Sequence, residues 1–202
     1  REIAVARELR GGTIATIRGD FAEAAGCFAV VRERAEALGV ERTRVGEDDT
    51  ILMLLLLFGY QRQAAAVQPL LDRYAEAYPE DAWHITVARA QIALEREEMA
   101  EARRHYQVFR ATGFRTVFGG RASLPKSETR VRIADLCVRL GDAADAELLY
   151  GMLIRGKNLC VAEAALVSMG SFGRPLGELA LLRGDVSGAR DHFERALEVN
   201  ER

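Results

Sequence analysis

The sequence predicts an all-α protein, a stack of about five antiparallel helical hairpins. Three observations carry that expectation. Amphipathic stretches of helical period fill most of the chain, and breaks recur at positions 19, 59, 97, 141 and 184. Small and aromatic residues sit at matching distances from several of those breaks. Alternating Val, Ile and Thr runs are nearly absent, and the 202 residues include only four prolines.

The clearest unit is Arg174 to Asn200, RPLGELALLRGDVSGARDHFERALEVN. Leu176, Leu179 and Ala180 form the apolar face of its first helix, where Gly177 leaves room for a partner helix. Gly184 suits the left-handed end of that helix, and Asp185 the N-cap of the next. Ala189, Phe193, Ala196 and Leu197 then recur at helical spacing on one face of the second helix. A two-residue break allows only an antiparallel hairpin. The set Gly177, Gly184, Ala189, Phe193 and Ala196 resembles a tetratricopeptide repeat. The fold this implies is a right-handed superhelical stack, a TPR-like α-solenoid.

Fainter copies follow from the N-terminus onward. In 1–39, Gly12 precedes Gly19 as Gly177 precedes Gly184, Asp20 and Glu23 make a variant capping box, and Ala24 and Phe28 fill the small and aromatic positions. Residues 40–50 are polar and loop-like. In 48–79 the expected turn is Gly59, Gln68 replaces the aromatic, and Pro69 should kink or restart the second helix. In 81–112, Asp81 can cap the first helix, Glu97 stands where Gly is expected, and Ala102 and Tyr106 follow. A Gly-rich loop to Lys126 comes next, with Phe114 and Phe118 packing back. In 127–156, Ala134 and Cys137 are the small residues, Gly141-Asp142 the break, and Ala146 and Tyr150 complete the pattern. An extra helix is expected over about 159–169, capped by Asn158, before the last repeat at 172–200. All of this reads as a single repeat domain spanning 1–202.

A formal charge of −2 lacks the basic excess of a dedicated nucleic-acid surface. Cys27, Cys137 and Cys160 are odd in number, form no CxxC and sit in apolar company, which fits a cytosolic protein with small buried thiols. The most apolar run, Ile51 to Phe58, is far shorter than the ~20 residues a membrane span needs, so it reads as a buried helix and no membrane role is expected. The chain opens at Arg1 inside a helical pattern and stops straight after an amphipathic helix. It therefore reads as a piece of a larger protein, with Phe193 and Leu197 partly exposed.

No catalytic constellation is legible, and the expectation is a protein that is not an enzyme. His84, His105 and His192 occur singly, without a second ligand three or four residues on, so no metal site is expected. Neither a nucleophile elbow nor a phosphate-binding glycine loop is present in the sequence, and no cofactor is expected. Arg155-Gly156-Lys157-Asn158 reads as a charged helix end before it reads as a phosphate contact.

In stacked hairpins the first helices line the concave side. Polar residues there that packing does not need are His84, Gln91, Glu95, Glu128, Asp135, Arg139, Arg174 and Glu178, and these are the candidate partner-binding residues. The expected partner is a protein or peptide, or other domains of the same polypeptide.

A narrower resemblance rests on RYAEAYPEDAWHITVARAQIALE, ADLCVRLGDAADAELLYGMLIRGKN, SMGSFGRPLGELALLRGD and HFERALEVNER. From Ile51 onward the order of these features resembles the C-terminal helical region of bacterial STAND-type ATPase regulators. That group occurs with LuxR-like DNA-binding or adenylyl/guanylate cyclase domains. The resemblance implies a non-catalytic interaction or sensor scaffold in a cytoplasmic signalling or transcriptional regulator. The alternative it leaves open is a sensor domain for a small-molecule inducer. The P-loop, helix-turn-helix and cyclase motifs of the group do not occur in these residues, so none of those activities is assigned to them.

Overall fold

The computed structural model describes residues 2–38, 64–77, 82–112, 127–163 and 167–201. Several expectations lie outside the described residues: the polar stretch 40–50, the apolar run Ile51–Phe58, the break at Gly59, the Asp81 cap, and the loop bearing Phe114 and Phe118. The chain divides into two compact units, Arg1–Phe109 and Arg110–Arg202.

The described part of the first unit is helical. Helix α1 (Glu2–Arg18) and α2 (Phe21–Leu38) form the first hairpin. Ala15 from α1 and Ala24, Phe28 and Val31 from α2 are buried. A 3-10 turn (Ala64–Val67) precedes α3 (Gln68–Ala77), so the α-helix begins one residue before Pro69. That is the restart expected of a residue with no N–H to donate and a fixed φ, both tolerated in a helix's first turn. Val67, Leu71 and Tyr74 then pack on Ile85, Ala88 and Ile92 of α4 (Ala82–Glu95). Helix α5 (Met99–Thr112) follows, with Ala102, Tyr106 and Phe109 buried. The boundary between the units falls just after Phe109.

The second unit holds α6 (Ser127–Leu140), α7 (Ala143–Leu153), α8 (Gly173–Leu182) and α9 (Val186–Asn200). Helix α8 packs on α9, on α7 and on α6. Leu176, Leu179 and Ala180 are fully buried, as their spacing predicts.

The segment between α7 and α8 corrects the sequence reading. Instead of a helix over 159–169, strand β1 (Cys160–Glu163) pairs antiparallel with β2 (Val167–Ser171). Asn158 accordingly lies in a turn ahead of a strand and caps no helix. A short apolar run does not distinguish strand from buried helix by periodicity. Here tertiary neighbours decide: β1 lies against α6 and β2 against α9. The pairing slips between Val161 and Ala162, and Gly170 beside that bulge takes φ +75°. The side chain of Asn200 accepts from the Ser171 N–H at 3.0 Å, which ties the ribbon to the end of α9.

Four turns are built alike. Gly19, Glu97, Gly141 and Gly184 all have positive φ, at 78°, 62°, 71° and 82°. In each, the next residue's N–H donates to the carbonyl five residues back: Asp20 to Ala15 at 2.9 Å, Glu98 to Ala93 at 2.9 Å, Asp142 to Cys137 at 3.1 Å and Asp185 to Ala180 at 2.9 Å. That pattern is a Schellman ending, in which the residue after the left-handed one also opens the next helix. Asp20, Asp142 and Asp185 each accept from the N–H three residues on, at 3.2, 3.1 and 2.9 Å. The alanines five residues past each turn, Ala24, Ala102, Ala146 and Ala189, are all buried. Glu97, the one departure from glycine, nonetheless adopts glycine's conformation.

Candidate functional site

The turn residues give each hairpin a common ruler. Gln91, Asp135 and Glu178 each lie six residues before a turn residue, so they occupy one repeat position on α4, α6 and α8. In the second unit the structure joins two of these through a residue of the last hairpin. Arg174, one helical turn before Glu178, donates through Nη1 to both Glu178 carboxylate oxygens, at 3.0 and 3.2 Å. Its Nη2 donates to Asp135 Oδ2 at 3.2 Å. One guanidinium thus clamps successive first helices, a geometry its planar fork suits better than a lysine would.

The clamp is set in a partly dehydrated place. Burial pushes the carboxyl of Asp135 above its ordinary value, against the opposing pull of Arg174, Arg139 and Arg132. Burial also raises Glu178, with Arg174 pulling the other way. Although 27% of the Asp135 side chain is exposed, its Oδ1 is shut from solvent and accepts no hydrogen bond. That oxygen lies 3.2 Å from Arg174 Nη2, within ion-pair reach but outside hydrogen-bond geometry. The Nε of Arg130, on the same helix, is likewise buried and unbonded.

The remaining candidates divide. Arg139 is exposed one turn beyond Asp135, close enough for its charge to act on that carboxyl. Gln91 is half-buried on α4. Glu95 is committed locally: it accepts the Ala65 N–H at 3.1 Å, where the 3-10 turn leaves a backbone donor unpaired. His84 and Glu128 lie on α4 and α6, and their side chains fall outside the described residues.

A second cluster in this unit went unnoticed in the sequence. The Tyr150 hydroxyl on α7 and His192 Nε2 on α9 are 2.9 Å apart, with their rings edge-on at 5.6 Å. The guanidinium carbon of Arg183 sits 4.2 Å above the centre of the Tyr150 ring, and Arg183 is ion-paired to Glu147. Burial lowers the imidazole pKa of His192, and Lys157 adds to the effect. The signal was present as position: Tyr150 is the aromatic of its hairpin. Its cross-hairpin partners are not spaced from it in any local way.

Among the described residues no group of three His, Cys, Asp or Glu side chains is placed to hold a metal ion. None of the described helices is long and apolar enough to cross a membrane. What the cluster of Asp135, Arg174 and Glu178 can do is hold two helices in register and present fixed, partly shielded charge. No family model and no curated protein matches the chain.

Proposed function

We propose that the chain is a non-catalytic, TPR-like interaction scaffold within a bacterial signalling or transcriptional regulator. The first-helix face of its hairpins takes a partner protein or peptide, or another domain of the same polypeptide. The observation that carries this reading is the Arg174 clamp: repeat-equivalent Asp135 and Glu178 hold ordered charge on successive first helices. The resemblance to STAND-type regulators supplies the setting, and the four equivalent turns support the repeat reading.

The test is calorimetric titration of the chain with the ATPase domain of the same regulator, expressed separately. Arg139→Glu and Glu178→Gln should each weaken binding about tenfold if this face is the docking site, in line with loss of a central charged contact. Binding unchanged in both variants removes the face from consideration. A thermal-shift response to a metabolite panel, without any domain binding, would favour an inducer sensor instead.

A further inference from the structure

The last hairpin carries a second surface that shares Glu178 with the first-helix face and otherwise lies apart from it. In the second unit, α8 packs on the hairpin α6–α7. Arg174 reaches back to Asp135, six residues before that hairpin's turn, and Arg183 reaches Glu147, six residues after it. The ring of Tyr150, nine after the turn, lies beneath Arg183. These three contacts define how one hairpin receives the next helix.

The same positions can be read on the hairpin α8–α9. The counterpart of Asp135 is Glu178, that of Tyr150 is Phe193, and that of Glu147 is Arg190, so the last position has reversed its charge. Arg190 is exposed, and no described residue pairs with it. Around these positions apolar side chains are bare: Leu181 is 49% exposed, Val186 64% and Leu197 63%, while Phe193 is only half-buried. Val186, Phe193 and Leu197 fall on one face of α9, so bare valine and leucine stand beside a half-covered aromatic.

We infer that the α8–α9 face docks an amphipathic helix of a partner protein, laid as α8 lies on α6–α7. The occupant carries a basic residue that meets Glu178 and, nine residues later, an acidic residue that meets Arg190, with apolar residues between. The internal template sets the nine-residue spacing, since Arg174 and Arg183 are nine apart, and the reversed charge at Arg190 sets the sign of the second group. None of the described first helices of this chain has that pattern. The matching pairs are Leu9 and Arg18, Val87 and Arg96, Val131 and Leu140, and Arg174 and Arg183, so none of the described first helices of a second copy, laid in this register, supplies the occupant.

The test uses the full chain and two synthetic peptides covering residues 172–184, each held helical by a staple on its outward side. One has the native sequence and the other carries Arg183→Glu. The R183E peptide should bind about fivefold tighter than the native one, the effect of turning a repulsive surface pair into an attractive one. Arg190→Glu in the protein should invert that preference, and because Arg190 is exposed the variant keeps its fold by circular dichroism. Equal binding of both peptides, or binding of neither, overturns the inference. So does sedimentation showing self-association of the parent chain that Leu197→Glu abolishes, because the face is then covered by a second copy. Arg190 keeps the outcome distinguishable from that of the first-helix face, because it reports on the α8–α9 face alone while Arg139 reports on the first-helix face alone.

Discussion

The ring of Phe193 fills the space that a side chain on Gly177 would need. A Cβ built on Gly177 would stand 2.6 Å from Cε1 of the Phe193 ring, and Gly12 meets Phe28 in the same way, at 2.5 Å. At these two turns the glycine seven before and the aromatic nine after are therefore one feature, a ring laid across bare backbone. Gly177→Ala should destabilise the protein by about 1 kcal/mol, because the displaced ring outweighs the helix propensity gained. In a Phe193→Leu background the same change should be neutral or mildly stabilising. A double-mutant cycle by urea denaturation measures this, and a coupling near zero would show that the two residues act independently.

Glu97 holds a left-handed conformation without being glycine, at φ 62°. A residue with a Cβ is held there at a cost of roughly 1 kcal/mol or more, partly offset by the entropy glycine loses on folding. Glu97→Gly should stabilise the protein by about 0.5–1 kcal/mol, and Gly141→Ala should destabilise it by about 1 kcal/mol. Thermal melts of the two variants should shift in opposite directions. A lower Tm for Glu97→Gly would mean that the glutamate side chain contributes something beyond the turn.

Asp135 gives a pH dependence opposite to that of an ordinary salt-bridged carboxylate. Its folded pKa is raised above the usual 3.8 because burial outweighs Arg174. The favourable contribution is therefore complete below the unfolded value and is lost as pH rises through the folded value. Asp135→Asn keeps an acceptor for Arg174 and removes the titration. The stability of the parent minus that of the variant should fall as pH rises from about 4 to 7. If the difference grows instead, pairing with Arg174 dominates over burial.

His192 should act in the other direction. Burial and Lys157 depress its pKa below the usual 6.5, so its contribution is present above that value and lost as pH falls through the folded pKa. Asp191 and Asp185 oppose the shift. His105 carries a depressed pKa as well, again chiefly from burial, so only a comparison of variants isolates His192. His192→Gln should flatten part of the loss between about pH 6.5 and 5. Tyr150→Phe should cost about 1 kcal/mol at pH 7.5, because it removes the hydroxyl that meets His192 Nε2. An unchanged acid limb in His192→Gln would assign that limb to other groups.

Much of the local architecture was legible without coordinates. The breaks at 19, 141 and 184 could be located because a Schellman ending favours glycine, and an Asp placed directly after it caps the next helix. Pro69 announced its own helix start. Glu97 was recognised as a turn by position alone, and the backbone takes the left-handed conformation there despite the poor local chemistry. Positions facing inward, such as Leu176, Leu179 and Ala180, followed from helical spacing.

What the sequence by itself determined, then, is whatever depends on residues a few positions apart: helix ends, caps, turns, and which stripe of each helix is apolar. The tertiary structure decided the rest, because its causes lie between segments distant in sequence. Cys160–Glu163 and Val167–Ser171 became paired strands because α6, α9 and the Asn200 amide were there to receive them. Arg174, read only as a polar residue on a helix face, became the clamp between Asp135 and Glu178 because packing brought α6 beside α8. Tyr150 and His192, 42 residues apart, share a hydrogen bond for which no local spacing rule exists.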